Sequence, residues 1–308
     1  VLQDSNEQKQ RLLLASAVSR RNLQTVKPDV GSPTVFPLEP PMGWSAMETQ
    51  LQVRLRACEI LLRKNGYLSA RQEANEAAIF LIRHLDQMRN RFYSEPLFAQ
   101  ANVALDEAED FTTYAHTSTD PSFLHRLVES HQTSVISPSA MDGVSPLLAA
   151  QHYRQYAMDC LLASASQHPW MSDIYYAIGR VYQAQSMADQ EAPELLRWRA
   201  MVYFRAAFQV LPSNALAANQ LGFMLLQLDR PQEAREALVA SYTAQATLPA
   251  LENLIEVSRR LNDNATYQWA LKAHASMRQA SPPRNGPEYV VIDPDAFAAI
   301  SPPGLGPK

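Results

Sequence analysis

Glycine is scarce in this chain, nine in 308 residues, under half the usual share of about 7%. So few glycines argue against β-rich folds with frequent tight turns and leave little room for a Gly-rich loop around phosphate. Neither Gly-x-Gly-x-x-Gly nor Gly-Lys-Ser/Thr occurs. Cysteine is nearly absent: Cys58 and Cys160 are the whole complement. They read as small buried hydrophobes on two helices, with a single cross-link as the alternative. An excess of positive charge is also missing. Lys and Arg number 27 against 31 Asp and Glu, a net charge of −4, so no general attraction to nucleic acid or anionic lipid is expected. No apolar run reaches the ~18 residues of a membrane span.

Catalytic signatures are lacking as well. There is no His-Glu-x-x-His, no Cys-x-x-Cys and no Gly-x-Ser-x-Gly, hence no recognisable zinc, redox or hydrolase motif. The seven histidines do not fall at metal-ligand spacings. His125 and His131 are six apart, wrong for one helix face, and read as surface histidines rather than zinc ligands. Asp106, Glu107, Glu109 and Asp110 cluster in sequence; a solvated helix face is the reading preferred over a metal site. The chain therefore reads as a non-enzyme without cofactor or metal. An enzyme whose site is assembled by residues 46–144 is the residual alternative.

What the chain has in excess is proline, 21 residues, unevenly placed. Twelve lie in two segments: Pro28 to Pro41, and Pro282 to Pro307. Between them the chain is rich in Ala, Leu, Gln, Arg and Met, all strong helix formers. Residues 5–26 have a partly apolar helical pattern. Residues 27–45 carry Phe36 and Trp44 among prolines and read as an extended strap lying on something apolar. The N-terminal unit is therefore 1–45.

Residues 46–144 follow as a helical hairpin and a less regular helical region. Met47, Leu51, Leu55, Cys58 and Leu62 predict the first arm, Gly66 a stop, and Ala70, Ala74, Ala77, Leu81, Leu85, Met88 and Phe92 the inner face of the second. Helices near 96–111 and 122–131 are expected next.

From residue 145 to 280 the chain repeats itself. In the first full unit, Tyr175, Ile178-Gly179 and Tyr182 precede Ala200, Phe204, Ala207 and Pro212. In the next, Leu221-Gly222 and Leu225 precede Ala234, Leu238 and Ser241. Upstream, Ala157, Leu161, Ser164 and Pro169 match the second half of a unit; downstream, 251–261 and 265–277 form a degenerate pair with Trp269 expected inward. This pattern resembles the tetratricopeptide repeat (TPR), a 34-residue helix–turn–helix unit. The first unit spans 172–214, and its nine extra residues are assigned to a turn at 186–194. The expected fold is all-α: a TPR-like α-solenoid of antiparallel helix pairs, with an N-terminal hairpin or cap and extended Pro-rich ends.

The resemblance implies that partners bind along the first helix of each pair. Carried over by position, the lining residues are Asp173, Tyr176, Arg180 and Gln183, then Leu216, Asn219, Phe223 and Leu226. The two-lysine carboxylate clamp of some family members is absent. The tail 281–308 holds a β-prone run, Tyr289 to Ile292 with Val291 at its centre, and a short helix start at Asp293-Pro294 that presents Phe297. Phe36, Trp44, Tyr289, Val291 and Phe297 are thus expected to touch partners. The expected partners are other protein subunits or peptide segments, in a homo-oligomer or a hetero-assembly. The expected function is a scaffold or adaptor; a transient peptide-binding assembly factor for a bacterial envelope or secretion machine is the alternative. Arg outnumbers Lys 22 to 5, which fits a GC-rich bacterial source. The first residue, Val1 rather than Met, reads as a removed leading segment and favours an extracytoplasmic location.

Overall fold

Proline writes the helix starts. Pro146, Pro169, Pro193 and Pro231 each stand at the first helical position, where the missing N–H costs nothing and the fixed φ suits the helix. Side-chain caps add to this: Ser145 accepts from the Leu148 N–H, His168 from Trp170, Asn214 from Ala217 and Thr247 from Ala250. A computed structural model describes residues 43–114, 121–137, 143–189 and 192–280. Every regular element among the described residues is α-helical: α1 (Trp44–Arg63), α2 (Tyr67–Arg89), α3 (Ser94–Tyr114), α4 (Pro121–Ser130), α5 (Pro146–Ser164), α6 (Pro169–Ala188), α7 (Pro193–Val210), α8 (Ala215–Gln227), α9 (Pro231–Ala244), α10 (Leu248–Arg260) and α11 (Asn264–Ala280). The expected helix at 5–26, most of the strap and the tail from 281 lie outside the described residues.

The helix ends explain how the chain manages with so little glycine. Asn65, Asn90, Asp229 and Asn262 take left-handed backbone, φ between 50 and 58°, a conformation that Asn and Asp tolerate best after Gly. The residue after each donates its N–H back five positions at 2.9 Å: Gly66 to Leu61, Arg91 to Asp86, Arg230 to Leu225, Asp263 to Ser258. Gly66 is therefore not the left-handed residue of its turn. A Cβ there would stand 3.3 Å from the Leu61 carbonyl oxygen, a tight contact, yet Arg91, Arg230 and Asp263 carry side chains at the equivalent position.

The helices pack as α1 with α2, α3 with α5, α6 with α7, α8 with α9 and α10 with α11. Successive pairs meet through α7 with α8 and α9 with α10, and first helices also meet, α6 with α8 and α8 with α10. On the N-terminal side the order is not sequential: α6 packs on α2, and α7 on α5. Two of the hairpin residues depart from expectation. Met88 is exposed, and Phe92 lies beyond the end of α2.

The core is unusually rich in tyrosine. Tyr153, Tyr175 and Tyr203 are fully buried, beside Phe111 and Phe204. Their hydroxyls are satisfied across helices: Tyr175 donates to the Leu161 carbonyl at 2.8 Å and Tyr203 to Asn102 Oδ1 at 2.7 Å. Such buried polar tips specify which helix faces which, because a shifted register would strand them.

The two clear repeat units share one register. A Cβ on Gly179 would lie 2.7 Å from the Phe204 ring and 3.3 Å from the Ala200 carbonyl oxygen. One on Gly222 would lie 2.4 Å from Leu238 Cγ and 3.2 Å from the Ala234 carbonyl oxygen. Ser172 of α6 donates to the Ala207 carbonyl of α7 at 2.7 Å; in the next unit Ser241 of α9 donates to the Ala215 carbonyl of α8 at 2.8 Å. The same point of contact is thus bonded twice, with donor and acceptor helices exchanged. The extra residues of the first unit do not form a long turn. They lengthen its helices, to 20 and 18 residues against 13 and 14 in the second.

Trp44, expected in the strap, opens α1 instead. Its ring lies parallel to His168 at 5.3 Å and edge-on to His84 at 5.2 Å, tying the hairpin to the start of α6. Burial lowers the pKa of His84; burial, then Arg89, lowers that of His168, where His84 also lowers and Glu48 raises it. Both rings are therefore harder to protonate in the fold than in the unfolded chain. The unfolded chain takes up these protons first, near pH 6.5. Stability present above that pH is expected to fall as the pH drops through 6.5 toward the depressed values. Urea midpoints measured from pH 7.5 to 5 check this, and His168→Gln should flatten the slope; an unchanged slope removes His168 as a contributor.

Candidate functional site

The acidic cluster on α3 is a solvated face only in part, with the Asp106 and Asp110 side chains 68% and 50% exposed. Glu107 is buried; it accepts the backbone N–H groups of Gln132 and Thr133 and the Thr133 hydroxyl. Asp106 and Glu109 both pair with Arg199 of α7. Asp110 lies 3.5 Å from His131 Nε2, while His131 Nδ1 shares a 2.9 Å hydrogen bond with the Tyr153 hydroxyl. The carboxylates thus turn to separate partners, and no group of three metal-ligating side chains converges among the described residues. His131, expected at the surface, has a side chain only 3% exposed. Burial pushes the Tyr153 hydroxyl far above the usual tyrosine range, and its hydrogen bonds with His131 Nδ1 and the Thr133 carbonyl tie the segment after α4 to α5. The two cysteines are free and buried, and burial pushes each thiol up to about 11, leaving almost no thiolate at neutral pH.

The face formed by α6, α8 and α10 is the one the repeat pattern marks for binding. Tyr176 is half-buried against the Phe204 ring at 6.0 Å, and its hydroxyl accepts from Arg180 Nη1 at 3.1 Å. Gln183 is 7% exposed and donates to Gln220 Oε1 of α8 at 3.0 Å. Asn219 accepts from Asn253 Nδ2 of α10, also at 3.0 Å. Phe223 is half-buried and Leu216 exposed. Leu226 is not a lining residue in this sense. Its side chain is 4% exposed in the core, and its carbonyl oxygen accepts from Arg260 Nη1 at 2.6 Å. Asp173 is exposed at the other end and accepts from Asn214 at 3.0 Å. The structure thus gathers Tyr176, Arg180, Gln183, Asn219 and Phe223 along adjacent helices.

Gln220 and Asn253 were not among the expected residues. Asn253 follows Asn219 by 34 positions, one repeat length, and that period was the available signal. Trp44 stands apart, in the stack with His84 and His168. Trp269 is 46% exposed rather than inward, edge-on to Tyr242 at 5.1 Å. Phe36, Tyr289, Val291 and Phe297 lie outside the described residues. Among the described residues no helix is long and apolar enough to cross a membrane. Compared with protein-family models and with curated proteins, the chain matches none.

Proposed function

We propose that the chain is a non-enzymatic scaffold or adaptor subunit whose helix pairs from α6 to α11 form a TPR-like solenoid that binds an extended segment of another protein. The reading is carried by the carboxamide row, Gln183 to Gln220 and Asn219 to Asn253, which crosses three successive first helices. One amide–amide hydrogen bond uses a single N–H and a single acceptor site, so the half-buried Asn219, Gln220 and Asn253 retain capacity for a peptide backbone laid across them, while the buried Gln183 anchors the row. Tyr176, Phe223 and Leu216 flank the row and offer contact area for apolar side chains, with Arg180 as its cation. The Pro-rich ends carrying Phe36, Tyr289, Val291 and Phe297, which lie outside the described residues, are the second contact expected with neighbouring subunits.

Affinity capture from an extract of the source cell tests this. A partner recovered in fixed stoichiometry by the native chain is expected to bind about tenfold more weakly to Phe223→Ala and to Asn219→Ala, at unchanged helicity and unfolding midpoint. Equal recovery by both variants would sink the groove reading.

A further inference from the structure

A cleft of about 340 Å³ opens between the first turns of α7 and the last turn of α8, lined by Glu194, Arg197, Trp198, Met224, Gln227 and Leu228. That size lies at the low end of small-ligand pockets, roughly 300–1,000 Å³, so it suits one inserted side chain and no helix. Its rim is electrically self-satisfied, because Arg197 pairs with Glu194 at 2.5 Å. A charged ligand would have to compete with that pair. The walls that remain are an indole, a thioether, an isobutyl group and the Gln227 carboxamide.

Trp198 is held by an unusual neighbour. The Arg154 guanidinium of α5 lies over the indole ring, 4.6 Å from its centroid. Arg154 is 7% exposed, and neither Nη1 nor Nη2 has a hydrogen-bond partner. A buried guanidinium whose Nη1 and Nη2 lack acceptors is costly; Glu109 offsets part of that cost through its charge, and the cation–π stack helps hold the Trp198 ring. With a cation already over the indole, a second cation in the cleft is repelled. An aromatic ring is favoured instead, since it meets the indole edge-to-face or offset and also meets the Met224 sulfur, whose contacts with rings are attractive.

We propose that this cleft is an anchor pocket for a single aromatic side chain of the bound partner segment. The pocket rests on the reading of α6, α8 and α10 as a binding face, and adjoins it: Gln183 of the carboxamide row also donates to Met224 Sδ at 4.0 Å. The groove would then take the backbone of the segment, and the cleft would select its anchor residue.

The full-length chain carrying ¹³C-methyl methionine, with the Met224 signal assigned from Met224→Leu, is titrated with N-acetyl-L-phenylalaninamide, N-acetyl-L-leucinamide and N-acetyl-L-lysinamide. The expected result is a saturable ring-current shift at Met224 with the phenylalanine probe. Binding should be about tenfold weaker for the leucine probe and unmeasurable for the lysine probe. Gln227→Trp, a change at an exposed lining position, should fill the cleft and abolish the shift without altering the unfolding midpoint. No saturable shift, equal response to all three probes, or an unchanged response in Gln227→Trp each overturns the proposal. So does a Met224 signal that moves on Phe297→Ala before any probe is added, because the chain's own tail would then be the occupant. Since no partner protein is used, failure here is separable from failure of the groove reading, which rests on capture by Phe223 and Asn219 variants.

Discussion

Replacing Arg199 with Ala is expected to lower the unfolding free energy by roughly 3–5 kcal/mol, the usual cost of stripping one partner from a buried ion pair. Arg199 belongs to α7 but bonds to Asp106 and Glu109 of α3, 93 and 90 positions earlier, and lies over the Tyr182 ring at 5.6 Å. Burial acts to strip its proton. Glu109 beside it, helped by Tyr182 and Asp106, instead holds the guanidinium well above the usual arginine range. The pair is asymmetric. The Asp106 side chain is 68% exposed and that of Glu109 26%, so Asp106→Asn should cost under about 1 kcal/mol and Glu109→Gln clearly more. Arg199→Lys should restore only part of the loss, because an ammonium cannot fork between two carboxylates. Urea denaturation of these variants, with the Arg199/Glu109 double-mutant cycle, measures the terms. A loss below 1 kcal/mol for Arg199→Ala would show that α3 and α7 are held together by other contacts.

The second large effect concerns the shared register of the repeat units. Phe204→Ala removes a fully buried ring and is expected to cost about 3–5 kcal/mol. Gly179→Ala in the native chain should also destabilise, by about 1–2 kcal/mol net. Overpacking against the Phe204 ring at 2.7 Å outweighs the ~1 kcal/mol that Ala gains over Gly in a helix. Placed in the Phe204→Ala background, the same Gly179→Ala change should become neutral or stabilising, since the ring that opposed it is gone. Gly222 and Leu238 should behave alike, Gly222→Ala losing most of its cost in Leu238→Ala. Unfolding free energies of the four single and two double variants decide it. Strictly additive losses would mean that the glycines serve backbone conformation and not close approach.

Much of the helical layout was legible along the chain. Prolines at 146, 169, 193 and 231 start helices because proline is disfavoured in a helix interior and suits the first turn, where Pro96 and Pro249 also lie. Gly179 and Gly222 pointed to close helix contacts because each is followed, on the next helix, by an Ala and a bulky residue four positions apart, Ala200 and Phe204 or Ala234 and Leu238. Those signals are local, or repeat at a fixed interval, and can be read without knowing the fold. Of the residues carried over to the proposed binding face, Tyr176, Arg180, Asn219 and Phe223 keep part of their surface exposed, while Leu226 is buried in the core.

Other features had no local signature. The run from Asp106 to Asp110 has the composition of a solvated face, and part of it becomes an interior anchor because α5, α7 and the segment after α4 bring Arg154, Arg199, His131 and two backbone N–H groups against it. Asn and Asp replaced Gly at helix ends, so a search for glycine stops assigned the wrong residue at Gly66. By itself the sequence determined which segments are helical, where most begin, and the period that aligns two of the pairs, because capping, propensity and spacing act within a few residues. Only the tertiary structure decided that α3 pairs with α5 across α4, that α2 rather than α5 covers α6, and that a buried Arg154 stacks on Trp198 beside an open cleft. Those outcomes follow from complementary surfaces and unsatisfied polar groups meeting over distances of many tens of residues, a sum over the whole chain that no window of sequence contains.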